Sequence, residues 1–244
     1  MKSFFKWLFK KNTTNVVDQP IENTTGVVTG KFEIWYPKAV RNHLGIMKTK
    51  GTYRNGYPEG AIVHATAGHC DSEQDAINSL KWGIDQGLAF FVIGPTGKVY
   101  QNFPLSHWGN HAGVSNWLNL GSSVSQYLVG IEVACANKVD ENGTAWFGKT
   151  YGINRLRVSE KKENIKAGTY VKYTKEQELA LLDLLVWLKK NNPTVFSITN
   201  IAGHDEVSPG RKDDPGASLS MTMPELRMKV GNLITQKEIP LTNT

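Results

Sequence analysis

Short, bounded apolar runs that alternate with segments of helical periodicity constrain this chain more tightly than any other feature. "GAIVHAT" at 60–66 is apolar and ends in polar residues, the pattern of a buried strand whose end reaches a surface, and it places His64 at that end. Ser72 followed by Asp75 marks a helix start, and Ala76, Ile77, Leu80 and Ile84 then share one face until Gly87 stops the helix. "LAFFVI" at 88–93 and "GKVYQN" at 97–102 flank the turn "GPTG", which predicts a hairpin. "YLVGIEVA" at 127–134 is a further apolar strand, interrupted by one carboxylate, Glu132. Thr174 and Gln177 form a capping box ahead of a helix whose apolar face is Leu179, Leu182, Leu185, Val186 and Leu188, and which ends before Pro193. "SITNIAGH" at 197–204 returns as a strand and delivers His204, and a last helix is predicted from Pro224, burying Met228, Leu233 and Ile234. Strands and helices in this rhythm predict an α/β fold.

A chain of 244 residues, 40% of them apolar, can bury the core of one ordinary domain. The reading places that domain at 31–238, with the polar stretch 137–173, which carries Trp146 and Phe147, as an insertion or flap. Residues 13–30, rich in Asn, Thr and Gly, read as a linker. In residues 1–12, a helix puts Phe4, Phe5, Leu8 and Phe9 on one side and Lys2, Lys6 and Lys10 on the other, a basic amphipathic segment suited to an anionic membrane surface. Lys6 interrupts the apolar run and no small-residue cleavage site follows, so a chain made in the cytoplasm without a cleavable leader is expected. Cys70 and Cys135 are too few for a disulfide framework and have no CxxC spacing, and each reads as a buried, inert thiol. A net charge of +6 favours polyanionic partners. No nucleic-acid-binding module accompanies it and the aromatics do not interleave with a basic stripe, so nucleic acid is not the expected partner.

The chemistry concentrates in "GHDEVSPGRKDDPG" at 203–216. Two neutral imidazoles and a carboxylate, with a fourth position left to water, form a common catalytic zinc set, and His64, His204 and Asp214 can supply it from two strand ends. Asp214 lies ten residues past His204, too far for one helical face, so the chain must curl back, and Pro209, Gly210, Pro215 and Gly216 restrict or permit the dihedrals involved. Spacing alone leaves a blander alternative open: a hydrogen-bonded histidine at the strand end and a capping cluster in the loop. That alternative leaves Glu132 unexplained, because a carboxylate inside an apolar strand costs several kcal/mol to desolvate unless it is paired or faces a cleft or a cation.

Five blocks together resemble the zinc-dependent N-acetylmuramoyl-L-alanine amidases of the phage-lysozyme and peptidoglycan-recognition-protein type: "IVHAT", "FFVIGPTGKVYQ", "HAGVSNW", "VGIEVA" and "AGHDEVSPGRKDDPG", in the family's order. The resemblance covers roughly residues 55–235 and implies a central mixed β-sheet flanked by helices. It implies zinc ligands at His64, His204 and Asp214, an acid/base carboxylate at Glu132 and a cationic partner at Lys212. Asp213 leaves the third ligand ambiguous by one position, and Asp214 is preferred because it directly precedes Pro-Gly. His111 and Trp117, with Trp108, are expected to line the substrate groove, whereas His43, His69 and His107 match no block. Phe90 stands where many relatives carry a histidine, and some phage members have a cysteine where this loop has Asp214. The implied activity is hydrolysis of the amide between N-acetylmuramic acid and L-alanine of the stem peptide by a monomeric, bacteriolytic phage endolysin. A non-catalytic peptidoglycan-binding module of the same fold is the alternative, and the filled ligand set argues against it.

Overall fold

The computed structural model describes residues 33–41 and 49–236, so the expected amphipathic segment 1–12, the linker 13–30 and His43 lie outside the described residues. In chain order the strands are β1 (Val40–Arg41), β2 (Gly51–Thr52), β3 (Gly60–Ala65), β4 (Phe90–Ile93), β5 (Val99–Gln101), β6 (His107–Trp108) and β7 (Asn116–Trp117). They continue as β8 (Gly121–Ser122), β9 (Leu128–Val133), β10 (Lys138–Val139), β11 (Leu156–Ser159), β12 (Gly168–Val171) and β13 (Ile201–Gly203). The helices are α1 (Glu73–Asp85), α2 (Lys175–Asn191), α3 (His204–Val207) and α4 (Met223–Thr235).

The central sheet is mixed and six-stranded, in the order β1-β5-β4-β9-β3-β13. Its inner strands β3 and β9 are parallel, and every residue of β3 is buried, which is why "GAIVHA" reads as a continuous apolar run. The hairpin predicted around "GPTG" is the antiparallel pair β4 and β5. Register places His64 opposite Glu132, Glu132 opposite Val92, and Val92 opposite Tyr100, so these four side chains share one face. Tyr100 donates its hydroxyl to Glu73 of α1 at 2.7 Å, which puts α1 over that same face. Gly83 lets α1 lie close to β4, because a Cβ there would come within 2.2 Å of the Phe90 ring. Gly203 belongs to the row of Val63, on the other face, and a Cβ on it would approach Met223 at the start of α4 to 3.2 Å. α2 packs against α4.

Two helices depart in part from the faces expected. α4 starts behind Thr222, whose hydroxyl accepts from the Glu225 N–H, and it buries Met223, Leu226 and Val230. Met228 is 62% and Leu233 37% exposed. Ile234 packs against the core as expected, whereas the helical period puts Met228 on the side opposite Met223, Leu226 and Val230. In α2 the capping box at Thr174 and Gln177 is present, but Leu179 is exposed while Leu181 and Leu184 join Leu182, Leu185 and Leu188 in the core. Of the run 197–204, only Ile201–Gly203 is strand, preceded by a 3-10 turn.

The stretch 137–173 contains an antiparallel sheet of its own, ordered β10-β12-β11. The segment between β10 and β11 is fastened to the loop after β3. Trp146 donates its indole N–H to the Ala67 carbonyl at 2.6 Å, the Phe147 ring lies 4.3 Å from that of His69, and Lys149 ion-pairs with Asp71. From β11, Arg157 donates to the carbonyls of Ala217 and Leu219 at 2.8 and 2.7 Å.

Candidate metal centre

β3 and β13 run parallel with Gly203 opposite Val63, so the residues that follow, His204 and His64, emerge at adjacent strand ends. The chain then turns through α3, where Glu206 accepts from the Gly203 N–H at 2.9 Å, and passes Gly210 at a φ of 80°. It returns so that Asp205 N–H donates to the Asp214 carbonyl at 2.7 Å. The return brings Asp214 beside both histidines. His64 Nδ1 and His204 Nδ1 are 2.9 Å apart, and Asp214 Oδ2 lies 3.0 Å from His204 Nδ1 and 3.4 Å from His64 Nδ1. All three residues are buried. Asp213, one position earlier, ion-pairs with Lys166 instead.

These three atoms fit a metal. A tetrahedral zinc site with bonds of about 2.0–2.1 Å has edges of about 3.3 Å between ligand atoms, close to the observed separations. His204 Nε2 lies 3.0 Å from the Ala112 carbonyl and donates to it, Arg211 being farther at 3.4 Å, so the ring turns Nδ1 inward. Burial, then the neighbouring His204, pushes the His64 imidazole down to about 4. Burial alone would raise the Asp214 carboxyl, but its contacts to His204 and His64 hold it well below the usual carboxylate range. A cation held among the three atoms would balance the charge of a buried, ionised Asp214.

Glu132 stands opposite His64 on β9, and its Oε2 is buried with no hydrogen-bond partner. Burial, then the nearby Asp214, pushes its carboxyl up to about 8, and Lys212 pulls the other way. Half-buried Lys212 also helps to hold His64 unprotonated, so its charge is felt at both groups. His111 Nδ1 lies 2.9 Å from His64 Nε2, while its own Nε2 is 2.8 Å from the Leu128 carbonyl. Burial, then the neighbouring His64, keeps its imidazole well below the usual value. Trp117 is half-buried against the apolar cluster of Ile62, Val124 and Leu128, with the Arg227 guanidinium 5.9 Å from its ring centre. Trp108 lines a cleft of about 260 Å³ with Asn110, Ser123 and Ser125 among its other walls.

Sequence reasoning passed over two residues in this region. Arg211 ties the returning loop to residues 112–114, donating to the carbonyls of Ala112 and Val114 at 2.6 and 2.8 Å and to Ser208 Oγ at 2.7 Å. It sits inside the quoted motif, but nothing in its spacing announces a partner about a hundred positions away. Asp205 is buried, with Oδ1 unpartnered, and burial pushes its carboxyl up to about 7. Cys70 and Cys135 are free and buried, and burial pushes the Cys135 thiol well above its ordinary value.

A mixed sheet thus delivers two histidines and a carboxylate to one buried point, with a second carboxylate opposite them, a donor set able to hold a metal ion. The family model described as N-acetylmuramoyl-L-alanine amidase matches residues 54–217, and the chain belongs to that family. Among solved structures, a selenomethionine derivative of AmpD superposes with a TM-score of 0.52 at 20% identity, over 80% of this chain and 96% of that one. The N-acetylmuramyl-L-alanine amidase AmiD from E. coli, complexed with its substrate anhydro-N-acetylmuramic acid-L-Ala-D-gamma-Glu-L-Lys, gives 0.50 at 18% identity, over 74% of this chain and 61% of that one. At these identities the likeness is one of fold. No curated protein sequence matches the chain.

The raised Glu132 carboxyl makes the metal-free protein sensitive to alkali. Folded Glu132 keeps its proton up to about 8, whereas the unfolded chain releases it near 4.5. Across that window the folded state holds more protons, so its stability falls as pH rises. Metal-free Glu132→Gln has no such proton to lose, and its melting temperature is expected to gain on that of metal-free wild type from the acid to the alkaline end of the window. A difference that stays constant with pH contradicts the burial of this carboxyl.

Proposed function

We propose that the chain is a zinc-dependent peptidoglycan amidase that cleaves the amide between the lactyl group of N-acetylmuramic acid and L-alanine of the stem peptide. The observation that carries this reading is the convergence of His64 Nδ1, His204 Nδ1 and Asp214 Oδ2, faced by a carboxylate oxygen with no partner of its own. Family membership supports the reaction, and the substrate in the AmiD complex contains the muramic acid and L-Ala groups that it joins.

His64, His204 and Asp214 would hold zinc, which when bound would supply Lewis acidity to the amide carbonyl and to water. Glu132 takes the proton of the attacking water and passes it to the departing amine, a cycle suited to a carboxyl whose affinity for protons lies close to neutral pH. Lys212 stabilises the oxyanion from the same loop that carries Asp214. A basic chain suits the anionic stem peptide, and we assign the protein to bacteriolytic, phage-type endolysins, made in the cytoplasm and acting as a monomer on the cell wall. Among the described residues no helix is long and apolar enough to cross a membrane.

Purified sacculi digested with the full chain are expected to release one free alanine amine for each new muramic acid end. A chelator should stop the release, and added zinc should restore it. New reducing sugar ends, or cleavage untouched by the chelator, refute the proposal.

A further inference from the structure

The contact at His64 Nε2 does not by itself show which ring nitrogen carries the proton, because the group there is another histidine that can donate or accept. The next contact along settles it. His111 Nε2 faces the Leu128 carbonyl at 2.8 Å, and a carbonyl only accepts, so His111 donates there. A neutral His111 then has a lone pair on Nδ1, and this accepts the Nε2 proton of His64 at 2.9 Å. His64 Nδ1 is left bare, aimed at His204 and Asp214. The ring of His111 has a fitted seat, since a Cβ on Gly130 would lie 2.9 Å from its Cγ.

The neighbouring residue does the same for the other ligand. The Ala112 carbonyl receives the Nε2 proton of His204 at 3.0 Å. Both residues are pinned by one hydroxyl: Ser125 Oγ accepts from the His111 N–H at 3.2 Å and from the Ala112 N–H at 3.0 Å. We infer that the His111–Ala112 step, anchored on Ser125, is a positioning device that directs the bare Nδ1 atoms of His64 and His204 toward the metal, and that His111 does not bind substrate. The inference rests on the zinc reading of the site and replaces the groove-lining role expected for His111.

Two measurements on the full chain test it. In zinc-loaded wild type, ¹⁵N NMR should find His64 protonated on Nε2 and bonded to the metal through Nδ1, and a proton on Nδ1 or a metal bond through Nε2 overturns the inference. This readout does not depend on activity, so it tests the His64 tautomer even if the amidase reading fails. In zinc competition with a chromophoric chelator, His111→Ala should lose about 10–100-fold in affinity, the usual loss when a hydrogen-bond partner of a ligand is removed. His111→Gln, whose amide can both accept from His64 and donate to Leu128, should recover part of it. With zinc saturating, KM on sacculi should stay at the wild-type value for His111→Ala. Zinc affinity held within about twofold of wild type, far below that loss, overturns the inference, as does a raised KM with zinc retained.

Discussion

Glu132→Gln is expected to retain zinc and to lose at least about a hundredfold in turnover on sacculi, the lower end of what a general base contributes. Gln has the shape of the carboxylate and cannot take a proton. The substitution also removes a buried ionisable group whose Oε2 finds no partner in the fold, so the folded state has no structural reason to suffer. Loss of rate without loss of metal or melting temperature therefore isolates proton transfer. Lys212 shapes the same result, because its charge opposes the burial that raises the Glu132 carboxyl. Wild-type turnover in the Gln variant removes Glu132 from the mechanism.

The second large effect lies at the metal itself. His204→Ala removes one of three ligand atoms and is expected to abolish zinc binding and activity together. Zinc bound only by the folded state stabilises it by roughly 2.7 kcal/mol at a hundred times its dissociation constant. A chelator should thus lower the melting temperature of wild type and leave that of His204→Ala unchanged. The variant also frees the Ala112 carbonyl, which Arg211 still satisfies at 2.6 Å, so the loop between the two stays tied. Equal chelator sensitivity in both proteins contradicts the assignment of His204.

How legible was this in the sequence? His64, Glu132 and His204 stand at or near the ends of apolar runs, and the parallel pairing that such buried runs favour brings those ends to one edge of the sheet. Asp214 was legible only as a curl-back between proline and glycine, and the structure shows the closing contact, Asp205 N–H to the Asp214 carbonyl, that no spacing rule contains. On α4 the expected Ile234 packs against the core, but Met228, apolar as it is, falls by helical period opposite Met223, Leu226 and Val230 and stays exposed. His111 was visible as part of "HAGVSNW", but its surroundings depend on Leu128 and Gly130, on a strand more than a dozen residues away. The layer built by 137–173 shows no strong periodicity in sequence, since its strands are two to four residues long and much of its fastening is polar.

The central claim is that a divalent ion sits among His64, His204 and Asp214. Metal analysis of fully active, purified protein, joined to anomalous diffraction at the zinc edge, tests it most directly. The account predicts one zinc per chain, bonded to Nδ1 of His64, Nδ1 of His204 and the Asp214 carboxylate. Active protein free of metal, or zinc bound elsewhere with these three side chains untouched, contradicts it.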